Sequence, residues 1–313
     1  MTFFNDKPPD PSGQNSPEQQ PSLPVVAEPP RAEPATAALP GDPISYAASA
    51  PSSYTPRPSL PEDLRISWSW THFCVFIFFA LSSFFLVQTS LILYFAPHRS
   101  MSTKELERYL LNKPQFLFGT NILWYAAIFL FLYVTLGVLR GKPFWPSLGW
   151  KKLKSNLSAG NANPWAYFFS GCGLAIFVFI VSAQVHTNDK MPIQEVLKNR
   201  NSAILLMAMA VFIAPLVEET VFRGYLYPLF AKSFGIVPGI LLTGVLFGLM
   251  HGAQLGWTWG IVGLLIMVGI IFTFARAHTG TVVASFLLHL GYNSMIAVAT
   301  IVGTHGFTQV PTH

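Results

Sequence analysis

The chain has 313 residues, of which 11% are charged and 51% hydrophobic, with a mean hydropathy of +0.44. Soluble globular domains carry roughly a quarter charged residues, so an ordinary water-facing surface is excluded. The net charge of +5 comes with no aromatic-rich basic face and no DNA or RNA motif, which leaves nucleic acid out as a partner.

Residues 1–65 are a different material from the rest. They hold 15 of the 25 prolines, with Ser, Ala, Gln and Gly between them. Proline fixes φ and removes a backbone donor, so no helix or sheet runs through such a stretch. The apolar content is too low to bury a core. The expectation is a disordered, partly polyproline-like tail whose PxxP-like spacings are of a kind that partner domains bind. MTFFNDKPPD has no basic stretch leading into an apolar one, so it does not read as a signal peptide.

From Ser67 the text changes to uncharged, apolar runs. A bilayer core of about 30 Å needs about 20 apolar helical residues. The first run, Ser67 to Phe95, is long enough, with Trp68, Trp70 and Tyr94 placed as interfacial anchors. Arg99 to Lys113 is mixed and charged, and predicts a short amphipathic surface helix. A second span is expected over Phe116 to Leu139. The loop after it, RGKPFWPSLGWKKLKSN, is the most basic stretch, so it is assigned to the cytoplasmic side. Two spans precede it, which places the N-terminal tail on that side too.

A third span is expected over Trp165 to Val185. A polar connector follows through Arg200, with PIQEVLKNR as a short surface helix. Next comes a long helix over Ser202 to Lys232, kinked at Pro215. Spans over Gly235 to Gly252, Trp257 to Ala275 and Thr281 to Val302 complete the set. The expected fold class is therefore all-α: a polytopic transmembrane helix bundle of about seven spans behind a Pro-rich tail. The domain reading is 1–65 tail, 66–191 N-terminal transmembrane helices with amphipathic connectors, and 192–303 catalytic transmembrane domain. The two cysteines, Cys74 and Cys172, fall inside apolar runs and read as small hydrophobes rather than a disulfide or a metal site.

Between Ser202 and Ala275 the charged residues are Glu218, Glu219, Arg223 and Lys232. A charge at the centre of a membrane helix costs roughly 2.5–3.5 kcal/mol unless it is paired or faces a water-filled cavity. Glu219 and Arg223 are four apart with the acid first, the better order for a pair on one helix face. Glu218, turned about 100° around the helix, is left unpaired, and an unpaired carboxylate there can act as general base or acid. His251 ends VLFGLMH, with Phe247 one turn earlier. His289 and Asn293 share a face in LLHLGYNS. A buried Glu–Arg pair alone is ordinarily structural, and a lone membrane histidine is ordinarily a helix–helix hydrogen bond. Three helices that each carry polar groups at membrane depth are a stronger sign. Together they hold a base, a pair for water or metal, and a donor pair, which suits amide hydrolysis. His72, His98, His186, His278, His305 and His313 read as interfacial or terminal.

The order Glu218-Glu219-x-x-x-Arg223, Phe247-x-x-x-His251, His289-x-x-x-Asn293 resembles the three motifs of the CAAX-processing and bacteriocin-processing (CPBP) intramembrane proteases, related to the type II CAAX prenyl endopeptidases. FRGYL and TGTVVASFLLHLGYN add to the likeness, which covers about Pro192 to Ala297. The resemblance implies a hydrolase that cuts a membrane-anchored, prenylated or leader-peptide substrate within the plasma membrane of a bacterium. It implies that Glu218 and His251 activate water, that His289 and Asn293 donate to the oxyanion, and that Glu219 and Arg223 set the geometry. It also raises a zinc ion held by Glu218, His251 and His289. Equally, Glu218 and His251 can polarise water without metal. H-E-x-x-H and G-x-S-x-G are absent, and none of the five aspartates lies in a span. Two alternatives use the same buried polar residues: a membrane transporter and a non-catalytic membrane scaffold.

Overall fold

The computed structural model describes residues 61–97, 101–153, 163–185 and 199–307. Almost all of the expected tail lies outside these residues, as does nearly all of the surface helix expected in PIQEVLKNR. The described residues are all helix and connection, with no strand among them.

Helix α1, Trp70–Phe95, is opened by Ser69, whose hydroxyl accepts from the His72 amide. The amphipathic helix expected before the second span is α2, Thr103–Leu111. It starts on a full capping box in which Ser102 and Glu105 bond reciprocally. Helix α3, Pro114–Leu132, begins with a proline where a missing N–H costs nothing. It runs on as a π-helical turn, Tyr133–Val138, marked by Leu139 N–H reaching back to Val134 O. The basic loop holds one short turn, α4, Phe144–Ser147. Helix α5 spans Pro164–Ser182.

The long kinked helix expected next is four pieces. Helix α6, Arg200–Phe212, ends at Ile213, and α7, Ala214–Glu219, starts with Pro215 in its first turn. Pro215 has no N–H for Val211 and its ring crowds that carbonyl, so the ladder breaks there. A π-helical segment, Thr220–Leu226, leads into α8, Tyr227–Phe234, and Tyr227 N–H bonds to Phe222 O five residues back. The wide turns sit just before Pro228, which leaves another ladder bond unmade.

Helix α9 is Ile236–Met250, α10 is Trp259–Thr279 and α11 is Val282–Gly303. Gly280 closes α10 in the left-handed conformation at φ 69°. Among the described residues, six helical stretches are long and apolar enough to cross a membrane. The expected seventh, α9, has 15 residues, or about 22 Å of helix, short of a core of about 30 Å. Gly235 stops α8 before it and His251 caps its end, so this apolar run is cut at both sides. Large side chains such as Phe78, Leu86 and Phe179 face outward on the long helices, as lipid contact requires.

Glycines set the two closest crossings. On α9, Gly244 and Gly248 form a G-x-x-x-G face against Ile266, Gly269 and Ile270 of α10. A Cβ on Gly244 would stand 2.6 Å from the Ile270 backbone nitrogen. Between α5 and α11, Gly171 meets the Leu288 carbonyl and Gly291 meets the Phe168 carbonyl, with no room for a side chain. The first crossing joins α9 to α10 and the second joins α11 to α5.

Candidate active site

Glu219 and Arg223 are fully buried, and His289 is 3% exposed. Arg223 Nη1 donates to Glu219 Oε1 at 2.9 Å, and His289 Nδ1 meets the same oxygen at 2.9 Å. With Glu219 ionised, Nδ1 carries the proton and donates to it. The ring is therefore oriented by Glu219, and Nε2 is the nitrogen free for other work. Nε2 faces Glu218 Oε2 at 3.8 Å, and the Glu218 side chain is 18% exposed. His289 thus stands between two carboxylates, one sealed and one accessible. The other Glu219 oxygen, Oε2, is buried without a hydrogen bond. Ser285 of α11 neighbours that carboxylate, but its hydroxyl donates to Val282 O at 3.0 Å.

The guanidinium has two further partners. Its Nε donates to Thr273 Oγ1 at 3.2 Å and its Nη2 to Gly269 O at 3.0 Å, both on α10. Three rings enclose it, with Phe247 at 4.5 Å, Phe272 at 5.4 Å and Phe222 at 5.8 Å from its central carbon. A planar cation between ring faces and three acceptors is well satisfied away from water.

His251 closes α9. Its Nδ1 lies 2.8 Å from Phe247 O, so Nδ1–H donates there and Nε2 keeps its lone pair. Phe247 neighbours both histidines, its ring 4.8 Å from His251 and 5.7 Å from His289. Among the described residues no hydrogen bond or ion pair joins His251 to either glutamate. Tyr125 of α3 is an electrostatic neighbour of Glu218.

Asn293 is placed differently from the expectation of a free donor pair. Its amide donates to Ala210 O at 2.7 Å, one of the last carbonyls of α6 before the break at Pro215. It ties α11 to the broken helix and keeps one amide hydrogen unspent. His72, read as interfacial, sits in a polar network: Nδ1 lies 2.7 Å from Tyr225 Oη and Nε2 3.0 Å from Thr135 Oγ1. Thr135 donates to Phe131 O, so His72 Nε2–H donates to Thr135 and Tyr225 O–H donates to Nδ1. This network joins α1 to both π-helical segments.

The residues named for zinc do not form a binding set. A zinc site needs three or four N, O or S atoms within about 2.3 Å of one point. Among the described residues no three His, Cys, Asp or Glu side chains gather in that way. His289 Nδ1 is spent on Glu219 Oε1, so Nε2 is its one ring nitrogen open to a metal.

The fold and this cluster define an integral membrane protein with a charged, imidazole-bearing site among its C-terminal helices. Residues 200–295 match the family model described as type II CAAX prenyl endopeptidase, Rce1-like. The match covers under a third of the chain and contains every site residue described above except Tyr125, His72, Thr135 and Phe131. The match likens the segment to a family of proteases. No curated protein and no solved structure matches the chain.

Thr273, Gly269 and Phe272 were not legible as site residues. One signal was present: Thr273 is the single hydroxyl in the run from Gly260 to Ala275.

Proposed function

We propose that the protein is an intramembrane endopeptidase that hydrolyses a peptide bond in a membrane-anchored substrate bearing a prenyl group or leader segment. Glu218 is the general base. It takes a proton from a water also held by the Nε2 lone pair of His251, and the hydroxide adds to the scissile carbonyl. His289 Nε2, when its ring carries both protons, donates to the resulting oxyanion, helped by the unspent amide hydrogen of Asn293. Collapse expels the amine, which receives the proton from Glu218. Glu219 and Arg223 hold His289 in place. Domain boundaries follow the same reading, with 66–191 framing the site and 192–303 carrying it.

One observation carries the proposal. Of two adjacent glutamates, Glu219 is sealed in an ion pair and Glu218 is left accessible beside an oriented histidine. A transporter or scaffold has no need for that division of labour. The test is cleavage of a quenched-fluorescent farnesylated peptide, and of an unprenylated membrane-anchored one, by detergent-purified wild type, Glu218→Ala and His251→Ala. Cleavage lost in both variants with their melts unchanged supports the reading. No cleavage of either peptide by wild type sinks it.

A further inference from the structure

We propose that α10, which carries none of the three motifs, supplies a positioning residue, Thr273, that aims Arg223 at Glu219, the carboxylate that orients His289. The inference rests on the peptidase reading above.

Arg223 is fully buried, and among the described residues two of its three hydrogen bonds end on α10. Thr273 is fully buried as well. Its hydroxyl donates to Gly269 O one turn back at 2.7 Å, which fixes the rotor. The fixed lone pair then accepts from Arg223 Nε at 3.2 Å. Gly269 O accepts from Thr273 and from Arg223 Nη2 at once. The guanidinium is therefore held along one edge by α10, while Nη1 points at Glu219 Oε1. Glu219 in turn orients His289 through Nδ1. Thr273 touches no reacting group, so its effect reaches the chemistry only along Arg223, Glu219 and His289.

Two further contacts make this arrangement specific to α10. A Cβ on Gly269 would stand 2.7 Å from Gly244 O and 3.1 Å from Phe247 Cβ, so the close α9–α10 crossing fixes where the Gly269 carbonyl points. Phe272, beside Thr273, lies 5.0 Å from the His289 ring and 5.4 Å from the guanidinium carbon.

The experiment compares two opposite truncations of Thr273 in the full chain, with the farnesylated peptide as probe. Thr273→Val keeps the shape and removes the hydroxyl. Thr273→Ser keeps the hydroxyl and removes the methyl. The expected result is a kcat lowered about ten- to a hundredfold in Thr273→Val, as for a lost hydrogen bond to a charged group, with KM within about twofold. Thr273→Ser is expected within about threefold of wild type. A packing role gives the reverse order, because serine leaves the void and valine does not. If Thr273→Val does not fold, Thr273→Cys, with its weakly bonding thiol, takes its place in the same ranking. A Val (or Cys) variant as fast as wild type, or a Ser variant no better, overturns the assignment and leaves the peptidase reading intact. Absent cleavage, or cleavage that persists in Glu218→Ala, overturns the peptidase reading and the assignment together.

Discussion

Glu219 and Arg223 lie one helical turn apart, meet at 2.9 Å, and neither is exposed at all. Removing one partner of a buried ion pair leaves a charge with nothing to answer it, a loss of about 3–5 kcal/mol. Glu219→Gln is therefore expected to lower the thermal midpoint in detergent sharply and to reduce the folded yield. Glu218→Gln, beside it but accessible, is expected to melt within about 2 °C of wild type while losing cleavage. Equal melts for the two variants would contradict the division between a structural and a reacting carboxylate.

The α5–α11 crossing gives a second contrast. A methyl on Gly171 or Gly291 overlaps a backbone carbonyl of the facing helix, whereas Gly263 of α10 has open space around it. Gly171→Ala and Gly291→Ala are expected to destabilise by about 1–3 kcal/mol or more. Gly263→Ala should be neutral or stabilising by up to about 1 kcal/mol. Thermal melts of the three variants in one detergent decide the matter.

Metal content follows from the ligand geometry. With no three-ligand set among the described residues, an active preparation is expected to contain zinc well below one ion per chain. Chelator treatment should leave its rate unchanged. One zinc per chain that disappears in His251→Ala would instead require Glu218, His251 and His289 to converge.

Helix α2 carries a pH response of its own. The Ser102 amide and hydroxyl both bond to Glu105, and these bonds hold the Glu105 carboxyl below the usual glutamate range. A depressed carboxyl adds stability above its unfolded pKa, and that stability is lost as pH falls through the folded pKa. Amide exchange in residues 103–111 should be slow at neutral pH and speed up below the ordinary glutamate range. Ser102→Ala, which removes the hydroxyl bond and keeps the amide bond, should weaken the pH dependence, and Glu105→Gln should abolish it.

Much of this was legible in the sequence because lipid imposes a simple rule: uncharged runs of sufficient length become helices. The three motifs were legible because charge and imidazole are rare in such runs. What the runs concealed was local geometry. Nothing in TVFRGYL announces a π-helical turn, and the apolar run to Met250 does not show that α9 stops at 15 residues. Asn293 read as a donor pair with His289 because the two share a face. Its actual partner, Ala210 O, lies on a different helix close to the break at Pro215. Thr273 was passed over because a single hydroxyl in an apolar helix ordinarily bonds its own backbone. It does so here too, while also accepting from Arg223.

The four-residue spacing of Glu219 and Arg223 also bears on how the chain enters the bilayer during synthesis. Each charge alone would resist leaving the insertion machinery by roughly 2.5–3.5 kcal/mol. Because acid and base arrive in the same segment, they neutralise each other as soon as that one turn forms. The other partners, on α10 and α11, emerge only later. The nascent segment is thus tolerated by lipid before the helices that complete its surroundings have been made.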